Sequence, residues 1–289
     1  MSDRITITAD ELGPVGDELG RGGQGIVYEL PSRPHHLLKV YLDDAVDRDG
    51  LEALVRWRLR LSSRDRRVID AMTAWPLAVV PDLSTGLAFV MRRAPTEFFH
   101  DRPGGSRPHD LQWAYCTSVA YSGRQPATRR QAVTIVHRLA MVLDVLHRND
   151  VVYGDLSATN VLWSARHGRP RIFLIDCDAA WATIGPRGCG GGQTPNFADP
   201  WPSDGTPAAE RRRDLYKLGL VFLRLYYRSQ LPVTAETPTI DLAADPPITR
   251  SVHGLLQGAL SPDGDRPTAA DWMPRLAALD RRLRAAGVT

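Results

Sequence analysis

Cysteine and long apolar runs are scarce in this chain of 289 residues. The three cysteines, Cys116, Cys177 and Cys189, are odd in number and widely spaced. They favour reduced thiols in a cytoplasm over a disulfide framework or a zinc site. No apolar run reaches the roughly 18 residues of a membrane span. The acidic first residues lack the apolar run of a signal peptide, so we expect a cytoplasmic protein without a membrane partner.

Lysine is also scarce, because only Lys39 and Lys217 among the 36 basic residues are lysine. The net charge is +3, which gives no reason to expect a nucleic-acid partner. An ammonium group and a guanidinium group are not interchangeable. Where lysine persists in so arginine-rich a chain, we therefore expect its particular chemistry to be required.

The first 91 residues have the pattern of short strands around one helix. Glycine and proline mark the turns, and leucines recur at helical spacing after residue 50. The predicted strands are Val15–Gly20, Ile26–Leu30, Leu37–Leu42, Leu77–Val80 and Leu87–Met91, with a helix through Leu51–Leu59. The last two strands form a predicted hairpin. Residues 92–108, rich in proline, glycine and arginine, predict a hinge and surface loop.

Residues 109–289 are mostly helical in pattern. Apolar stripes at helical spacing predict three helices, and short apolar runs predict two strands. The helices are Gln131–Leu146, Asp214–Tyr227 and Ala269–Ala286; the strands lie within Val151–Trp163 and Arg171–Ile175. Between them, Gly185–Pro207 predicts a long loop. The order is a small strand-rich lobe, a hinge and a larger helical lobe.

A glycine-rich turn joins the first two predicted strands at Gly20, Gly22 and Gly25, just before Val27. Glycine lets a backbone lie close over phosphate groups where a Cβ atom would collide. Such a turn is weak evidence alone, because an ordinary hairpin turn has the same composition. It leads into a strand rather than a helix, which argues against dinucleotide-binding and Walker loops.

Lys39 lies inside an apolar strand, where its charge is costly unless an anion matches it. Phosphate oxygens together with a carboxylate would provide that match. Glu52 on the following helix is the candidate carboxylate, and an edge strand that faces water is the alternative.

Two loops carry acids that suit phosphoryl transfer. Asp155 and Asn160 lie in a loop between a helix and a strand, and Asp176 directly follows the apolar run Phe173–Ile175. Asp155 can accept a proton from an attacking hydroxyl, while Asn160 and Asp176 offer oxygen ligands to magnesium. Taken singly, each pattern also fits a turn or a helix cap.

In their order and spacing, these motifs resemble the protein-kinase superfamily from about residue 15 to residue 283. Two further segments agree, since Asp214–Gly219 resembles the helix that anchors the catalytic loop and Asp265–Thr268 resembles the start of the last helix. Trp75–Leu77 and Leu87–Arg93 are similar to a bacterial subgroup whose catalytic loop also begins Gly-Asp-Leu.

The resemblance implies an α+β bilobal fold, with an antiparallel N-lobe over residues 1–91, a hinge over 92–108 and a helical C-lobe over 109–289. It implies ATP and Mg²⁺ as cofactors and a protein as substrate. Asp155, Lys39 and Asn160 would be catalytic, and Asn160 and Asp176 would bind the metal. Residues that would contact the nucleotide are Gly20, Gly22, Gly25, Val27, Lys39, Met91, Arg92, Arg93, Ala94 and Leu162, with Glu52 paired to Lys39.

The chain departs from the family pattern at several positions. Tyr153-Gly154 replaces the usual His-Arg, so control by loop phosphorylation is not expected. Asp176 is followed by Cys177-Asp178 rather than Phe-Gly. Ser157 stands where Ser/Thr kinases have a lysine. The usual Pro-Glu that closes the activation loop appears as Asp199-Pro200, so Arg266 would meet Asp199 or another acid.

Three functions remain open from the sequence. The first is an ATP-dependent kinase that phosphorylates Ser or Thr in a protein. The second is a small-molecule kinase of the aminoglycoside or choline type, since such enzymes share Gly154-Asp155 and lack Phe-Gly after the metal-binding acid. The third is a pseudokinase that binds nucleotide or a partner and does no chemistry.

Overall fold

The computed structural model describes residues 4–42, 46–102, 105–116, 126–166, 168–183, 185, 194, 196–228, 250–262 and 266–288. They form a mixed α+β protein with an antiparallel sheet of five strands and several helices. Cys189 and most of the glycine-rich stretch that follows Gly185 lie outside the described residues. Among the residues described, we find no helix that combines the length and the apolar character needed to cross a membrane.

The five-stranded sheet is built from the first part of the chain. Its elements are α1 (Ala9–Leu12), β1 (Glu18–Arg21), β2 (Gly25–Glu29), β3 (His36–Tyr41), α2 (Arg48–Arg60), α3 (Ser63–Met72), β4 (Pro76–Val80) and β5 (Ala88–Arg92). The strand order in space is β1-β2-β3-β5-β4, and every neighbouring pair is antiparallel. The predicted strands, including the β4–β5 hairpin, are confirmed with small shifts at their ends.

The prediction of one helix before residue 91 is wrong, because α1 and α3 accompany α2. Helix α3 begins after Ser62, whose hydroxyl accepts a hydrogen bond from the Asp65 amide, and it buries Ile69 and Met72. Its arginine-rich sequence offers few apolar positions at helical spacing. Capping and two buried side chains therefore define this helix, rather than a pronounced apolar stripe.

The segment predicted as a hinge and surface loop contains regular structure. A 3₁₀ turn (Thr96–Phe98) leads into β6 (Phe99–Arg102), which pairs antiparallel with β7 (Gly105–Pro108). Phe98 and His100 are buried. Contacts with the rest of the protein thus order a stretch whose proline and glycine content predicted a loop.

Helices dominate the rest of the described chain. Its elements are α4 (Gln112–Tyr115), α5 (Arg129–Arg148), β8 (Val151–Val152), β9 (Val161–Ser164), β10 (Arg171–Leu174), a 3₁₀ turn (Cys177–Ala179), β11 (Trp181–Ala182), α6 (Pro207–Tyr227), α7 (Arg250–Ala259) and α8 (Ala269–Ala285). The three predicted helices are confirmed. Helix α6 begins earlier than predicted because Thr206 caps it and Pro207 suits its first position.

Helix α5 packs against both α6 and α8, and these three helices bury a large apolar core. Leu139, Phe222 and Trp272 are almost fully buried within it. Helix α6 also buries two charged residues, Asp214 and Lys217, at 0% exposure. A buried charge is costly unless it is hydrogen-bonded, so these two side chains point to a specific task.

The two faces of the sheet pack against different partners because side chains alternate along each strand. Leu38 and Val40 of β3 face a cluster that includes Leu12 of α1. Tyr41 belongs to the opposite cluster, with Leu51 of α2. Lys39 lies between Leu38 and Val40 in sequence and so shares the Tyr41 face, which is directed toward the loops after β8 and β10.

Candidate functional site

The glycine-rich turn lies between β1 and β2, as predicted. The Gly22 amide donates to the Gly25 carbonyl oxygen at 2.9 Å. A Cβ atom on Gly25 would lie 2.6 Å from the carbonyl oxygen of Val40, so β3 leaves room only for glycine. Gly20 and Gly23 face open space, with no atom within 4 Å of an added Cβ. The turn thus combines one position where β3 requires glycine with an open side.

Lys39 lies in the central strand β3 with only 6% of its surface exposed. Its Nζ lies 2.8 Å from Oδ2 of Asp178 and 3.3 Å from Oδ1 of Asp176. The strand therefore directs this ammonium at the loop that follows β10. The prediction that a buried lysine needs matching anions is met by two carboxylates from distant sequence.

Asp178 is the most deeply buried acid of this group, at 2% exposure. Besides Lys39, it accepts a hydrogen bond of 2.5 Å from the hydroxyl of Tyr41. Tyr41 follows Lys39 by two residues, so both side chains leave the same face of β3. The Lys39 ammonium also lies 5.5 Å from the centroid of the Tyr41 ring. Lys39, Tyr41 and Asp178 thus contact one another, and the Asp178 carboxylate accepts from both of the others.

The expected pairing of Lys39 with Glu52 is not found. Glu52 lies on α2, where its carboxylate pairs with Arg48 at 2.8 Å and with Arg56. These arginines are four residues before and after it, so one helix face brings all three together. Two adjacent cations thus neutralise Glu52 locally, while Asp178 and Asp176 neutralise Lys39.

The loop that carries Asp155 is fixed by the two buried charges of α6. Oδ2 of Asp214 accepts from the Tyr153 amide at 2.8 Å, and its Oδ1 accepts from the Gly154 amide at 2.9 Å. Lys217 donates to the Gly154 carbonyl oxygen at 2.7 Å. Gly154 has φ +82°, a left-handed conformation that glycine adopts readily. The predicted anchoring of this loop by α6 is confirmed.

Asp155 receives hydrogen bonds on both carboxylate oxygens. The side-chain amide of Asn160 donates to Oδ2 at 2.8 Å and to the Asp155 carbonyl oxygen at 3.0 Å. The Thr194 hydroxyl donates to Oδ1 at 3.0 Å. With its nitrogen so engaged, Asn160 keeps its Oδ1 as an acceptor, near the Thr159 hydroxyl at 3.5 Å.

Asp176 ends the β10 segment with φ 53°, in the left-handed region. The Ile175 amide donates to the Asn160 carbonyl oxygen at 2.9 Å, which joins this segment to the Asp155 loop. Burial raises the pKa of Asp176, the Asp178 and Asp155 charges raise it further, and Lys39 opposes them. A carboxylate among like charges favours a bound cation.

Lys39, Asp155 and Asp176 line one cleft of about 440 Å³. The cleft unites the glycine turn with both acidic loops. Its lining is Gly20, Gly22, Gly23, Gln24, Gly25, Val27, Lys39, Asp155, Asp176, Asp178, Ala179 and Thr194. Among the described residues, no group of three or more His, Cys, Asp or Glu side chains is arranged to hold a metal ion. A site at Asn160 and Asp176 would therefore need further oxygen ligands from a phosphate or water.

The residues expected around a nucleotide base form an apolar cluster beside the glycine turn. Met91, Ala94 and Leu162 are buried there, and Val27 and Leu37 pack against it. The expected backbone donors after Met91 are partly occupied. The Arg93 amide donates to the His35 carbonyl oxygen at 2.9 Å because the β3–β5 pairing continues beyond Arg92.

The side chains of Arg92 and Arg93 have structural partners. Arg92 donates to the Asp70 carbonyl oxygen at 2.6 Å, and Arg93 pairs with Glu29 at 2.8 Å. Both side chains therefore connect this segment to the protein. Any base contact at these residues would involve the backbone.

The sequence left Asp199 or another acid as the partner of Arg266, and the structure pairs Arg266 with Asp199. Both oxygens of the Asp199 carboxylate accept from this guanidinium, and both side chains are almost fully buried. The Arg266 guanidinium also lies 5.5 Å from the Trp201 ring centroid. The segment before α6 is thus tied to the start of α8.

Sequence reasoning missed Tyr41 and Thr194 as members of the site. Tyr41 could have been found, because a tyrosine two residues after a buried lysine shares its strand face. Thr194 is 39 residues from Asp155 in sequence, and no local pattern marks it. Asp178 was noted beside Asp176, but its contact with Lys39 depends on the folded chain.

No model of a known protein family matches the sequence, and no curated protein matches it significantly. Function is therefore inferred from the residues and their geometry.

Proposed function

We propose that this protein is an ATP-dependent kinase of the protein-kinase superfamily, which transfers the γ-phosphoryl group of Mg-ATP to a Ser or Thr hydroxyl of a protein. The observation that carries the proposal is the single cleft lined by the glycine turn, Lys39, Asp155 and Asp176. In this proposal the fold is bilobal, with residues 1–91 and 109–289 on either side of the cleft and 92–108 as the connection.

The cleft fits a triphosphate and its metal ion. Open space above Gly20 and Gly23 leaves room for phosphate oxygens, and the Lys39 ammonium is directed into the cleft from its wall. Asn160 Oδ1 and the Asp176 carboxylate are hard oxygen ligands of the kind magnesium prefers. When bound there, magnesium would neutralise charge on the phosphate oxygens. The apolar cluster of Met91, Ala94 and Leu162 would take the adenine.

Each polar side chain has a distinct task in the proposed reaction. The substrate hydroxyl oxygen forms a bond to the γ-phosphorus as the bond to the leaving oxygen breaks, and Asp155 accepts the hydroxyl proton. Asn160 and Thr194 orient the Asp155 carboxylate through their hydrogen bonds. Lys39 holds phosphate oxygens, with Asp178 as its positioning carboxylate in place of Glu52.

A second candidate is a nucleotide-binding pseudokinase. Asp178 already neutralises Lys39, and both oxygens of Asp155 accept hydrogen bonds. This closed polar arrangement would suit a protein that binds nucleotide without chemistry. A small-molecule kinase remains the third candidate on the strength of Gly154-Asp155 and the absence of Phe-Gly after Asp176.

Phosphoryl transfer is the decisive measurement. Purified protein is incubated with magnesium and γ-labelled ATP, alone, with a generic protein substrate, and with a panel of sugars and amino alcohols. We expect label on protein that is lost in Asp155→Ala. The Asp101→Ala variant, which changes an exposed acid on β6, is the matched control and should keep full activity.

The other outcomes separate the three candidates. Label only on small molecules would overturn the protein-kinase proposal. If no substrate is labelled but magnesium and ATP together raise the melting temperature, the pseudokinase is supported. Absence of both label and stabilisation would refute nucleotide binding at this cleft.

A further inference from the structure

A second cleft in the described part of the chain lies away from the candidate active site. It has a volume of about 670 Å³ and lies between α5, α8 and the turn that precedes β10. Five arginines line it, against one acid. We call it the arginine cleft and define it by Arg130, Arg138, Arg169, Asp280, Arg281 and Arg284. A pocket of this size suits a small ligand or a short peptide segment.

The single acid of the arginine cleft is already shared by two of its arginines. Asp280 lies 3.2 Å from Arg130 and 2.8 Å from Arg284. In the described part of the chain, no carboxylate forms an ion pair with Arg138, Arg169 or Arg281. Three guanidinium groups therefore remain without a matching anion around one concavity.

Arg138 is the least satisfied of the three. It lies midway along α5, and its Nε is buried without a hydrogen-bond partner among the described residues. Burial lowers the pKa of its guanidinium, and the nearby charges of Arg171 and Arg169 lower it further. A buried donor without an acceptor and crowded like charges are both costly, and an anion in the cleft would relieve both costs.

The other groups of the cleft fit the same kind of ligand. Burial lowers the pKa of His137 and the charge of Arg138 lowers it further, while Asp280 opposes both effects. Thr134 also lines the cleft, although its hydroxyl donates to the Arg130 carbonyl oxygen at 3.0 Å, and Met141 and Leu276 add apolar lining. Guanidinium groups bind phosphate through paired, parallel hydrogen bonds. Three unmatched cations are suited to a group that carries two negative charges.

We propose that the arginine cleft is a second, non-catalytic site that binds a phosphate monoester through Arg138, Arg169 and Arg281. The phosphate could belong to a free small molecule or to a phosphorylated side chain of a protein. This binding does not depend on the proposed kinase activity, because none of the cleft's residues lines the cleft that holds Lys39 and Asp155.

Calorimetric titration at two salt concentrations tests this proposal with four probes: inorganic phosphate, O-phosphoserine, a serine peptide and its phosphorylated form. We expect the phosphorylated probes to bind and the unmodified peptide not to bind. In Arg138→Gln/Arg169→Gln, affinity should fall by about tenfold or more, since two charge-assisted interactions are lost. The Arg138→Lys variant keeps the charge without the planar fork and should recover only part of the affinity.

Two controls decide whether binding belongs to this cleft. Arg60→Gln/Arg64→Gln removes two exposed charges from α2 and α3 and should leave affinity unchanged. Lys39→Met disables the candidate active site and should also leave it unchanged. Melting curves check that each variant is folded. If Arg138→Gln/Arg169→Gln does not fold, the single variant Arg169→Gln, in the exposed turn before β10, replaces it in the titrations.

The outcomes either support or overturn the proposal. Similar affinity for O-phosphoserine and phosphopeptide would identify the phosphate group itself as the ligand, whereas tighter phosphopeptide binding would indicate a protein segment. No binding, equal binding of the unmodified peptide, or an equal loss in Arg60→Gln/Arg64→Gln would overturn it. Loss of binding in Lys39→Met would assign the phosphate to the other cleft.

Discussion

At the residue scale, the contact of Lys39 with Asp178 is the feature that most distinguishes this site. The side chains of Lys39 and Asp178 are 7% and 2% exposed, and their charged atoms lie 2.8 Å apart. Glu52, the partner expected from the resemblance, is engaged with Arg48 and Arg56 instead. Which carboxylate supports Lys39 is therefore a question for matched substitutions.

We predict that Asp178→Asn is more damaging than Glu52→Gln. Asp178→Asn leaves a buried ammonium without its closest anion, which should lower the free energy of unfolding by about 3 kcal/mol. Glu52→Gln breaks pairs with two arginines whose side chains are about half exposed, and it should cost about 1 kcal/mol or less. Urea unfolding measures both values. A larger loss in Glu52→Gln would show that Asp178 is not the principal partner of Lys39.

The variants Asp178→Asn and Glu52→Gln should also differ in their response to nucleotide. If the proposed binding of Mg-ATP raises the melting temperature and Asp178 positions Lys39, then Asp178→Asn should reduce that rise, whereas Glu52→Gln should retain it. Equal nucleotide responses in the two variants would leave the contact with a structural role alone.

Asp110 provides a prediction about pH. Burial raises its pKa to about 6, although hydrogen bonds from the Gln112 and Trp113 backbone oppose the shift. An aspartate with a raised pKa favours the folded state at low pH, and that contribution is lost as pH rises through about 6. Asp110→Asn should therefore be more stable than the wild type at pH 7.5, and this advantage should vanish near pH 4.

Urea unfolding at pH 7.5, 6 and 4 checks this expectation. Asp101→Asn, which changes an exposed side chain on β6, controls for the loss of one negative charge. A constant difference between Asp110→Asn and the wild type across this pH range would contradict the stated cause.

At the scale of the element, the glycine turn between β1 and β2 separates two roles of glycine. Strand β3 leaves no room for a side chain at position 25, because a Cβ atom added to Gly25 would lie 2.6 Å from the Val40 carbonyl oxygen. Gly20 has open space around it. Glycine is thus required at Gly25 for the packing of the sheet, whereas Gly20 borders the cleft.

We predict that Gly25→Ala destabilises the protein and that Gly20→Ala does not. In Gly25→Ala the backbone of β2 or β3 must shift, which should cost roughly 1–3 kcal/mol. Gly20→Ala should fold normally while it weakens stabilisation by Mg-ATP. Melting curves with and without nucleotide separate these effects. A destabilised Gly20→Ala with unchanged nucleotide response would contradict this assignment.

Helix α6 is the second element that determines the site. Its buried Asp214 and Lys217 form hydrogen bonds with three backbone groups of Tyr153 and Gly154. These bonds hold the loop that carries Asp155 against α6. This contact also accounts for the second lysine of the chain. Lys217 is fully buried and its pKa is lowered, mainly by burial, while Asp214 and Asp155 oppose the shift.

At the scale of the whole molecule, the candidate site unites the five-stranded sheet with loops from the helical part of the chain. Lys39 and the glycine turn come from the sheet, while Asp155, Asp176 and Thr194 come from later segments. A ligand in this cleft would contact both parts simultaneously. Its binding should therefore be detectable in both.

We predict that Mg-ATP slows amide hydrogen exchange at the glycine turn and in residues 153–160 together. A ligand present at about 100 times its dissociation constant stabilises a protein by about 2.7 kcal/mol. Mass spectrometry of deuterated peptides measures the exchange, and Lys39→Met is the control in which both effects should be lost. Protection confined to one region would contradict a ligand that bridges the cleft.

Much of the local structure could be predicted from the amino-acid pattern alone. Alternating and helical apolar patterns predicted the strands of the sheet and the helices α5, α6 and α8, because burial of a periodic face is a local property of the chain. The order of Lys39, Asp155 and Asp176 also indicated one site. Helix α3 and the β6–β7 hairpin were missed, since capping and tertiary contacts outweigh their weak apolar pattern.

Which charged side chains contact each other depends on the folded chain. Lys39 and Asp178 are far apart in sequence, as are the arginines of α5 and α8 that share one cleft, so no local pattern reveals either contact. Glu52 was the expected partner of Lys39, but Arg48 and Arg56 on its own helix neutralise it instead. Local sequence patterns therefore predict which element carries a charged side chain. The packing of distant elements determines which group neutralises that charge.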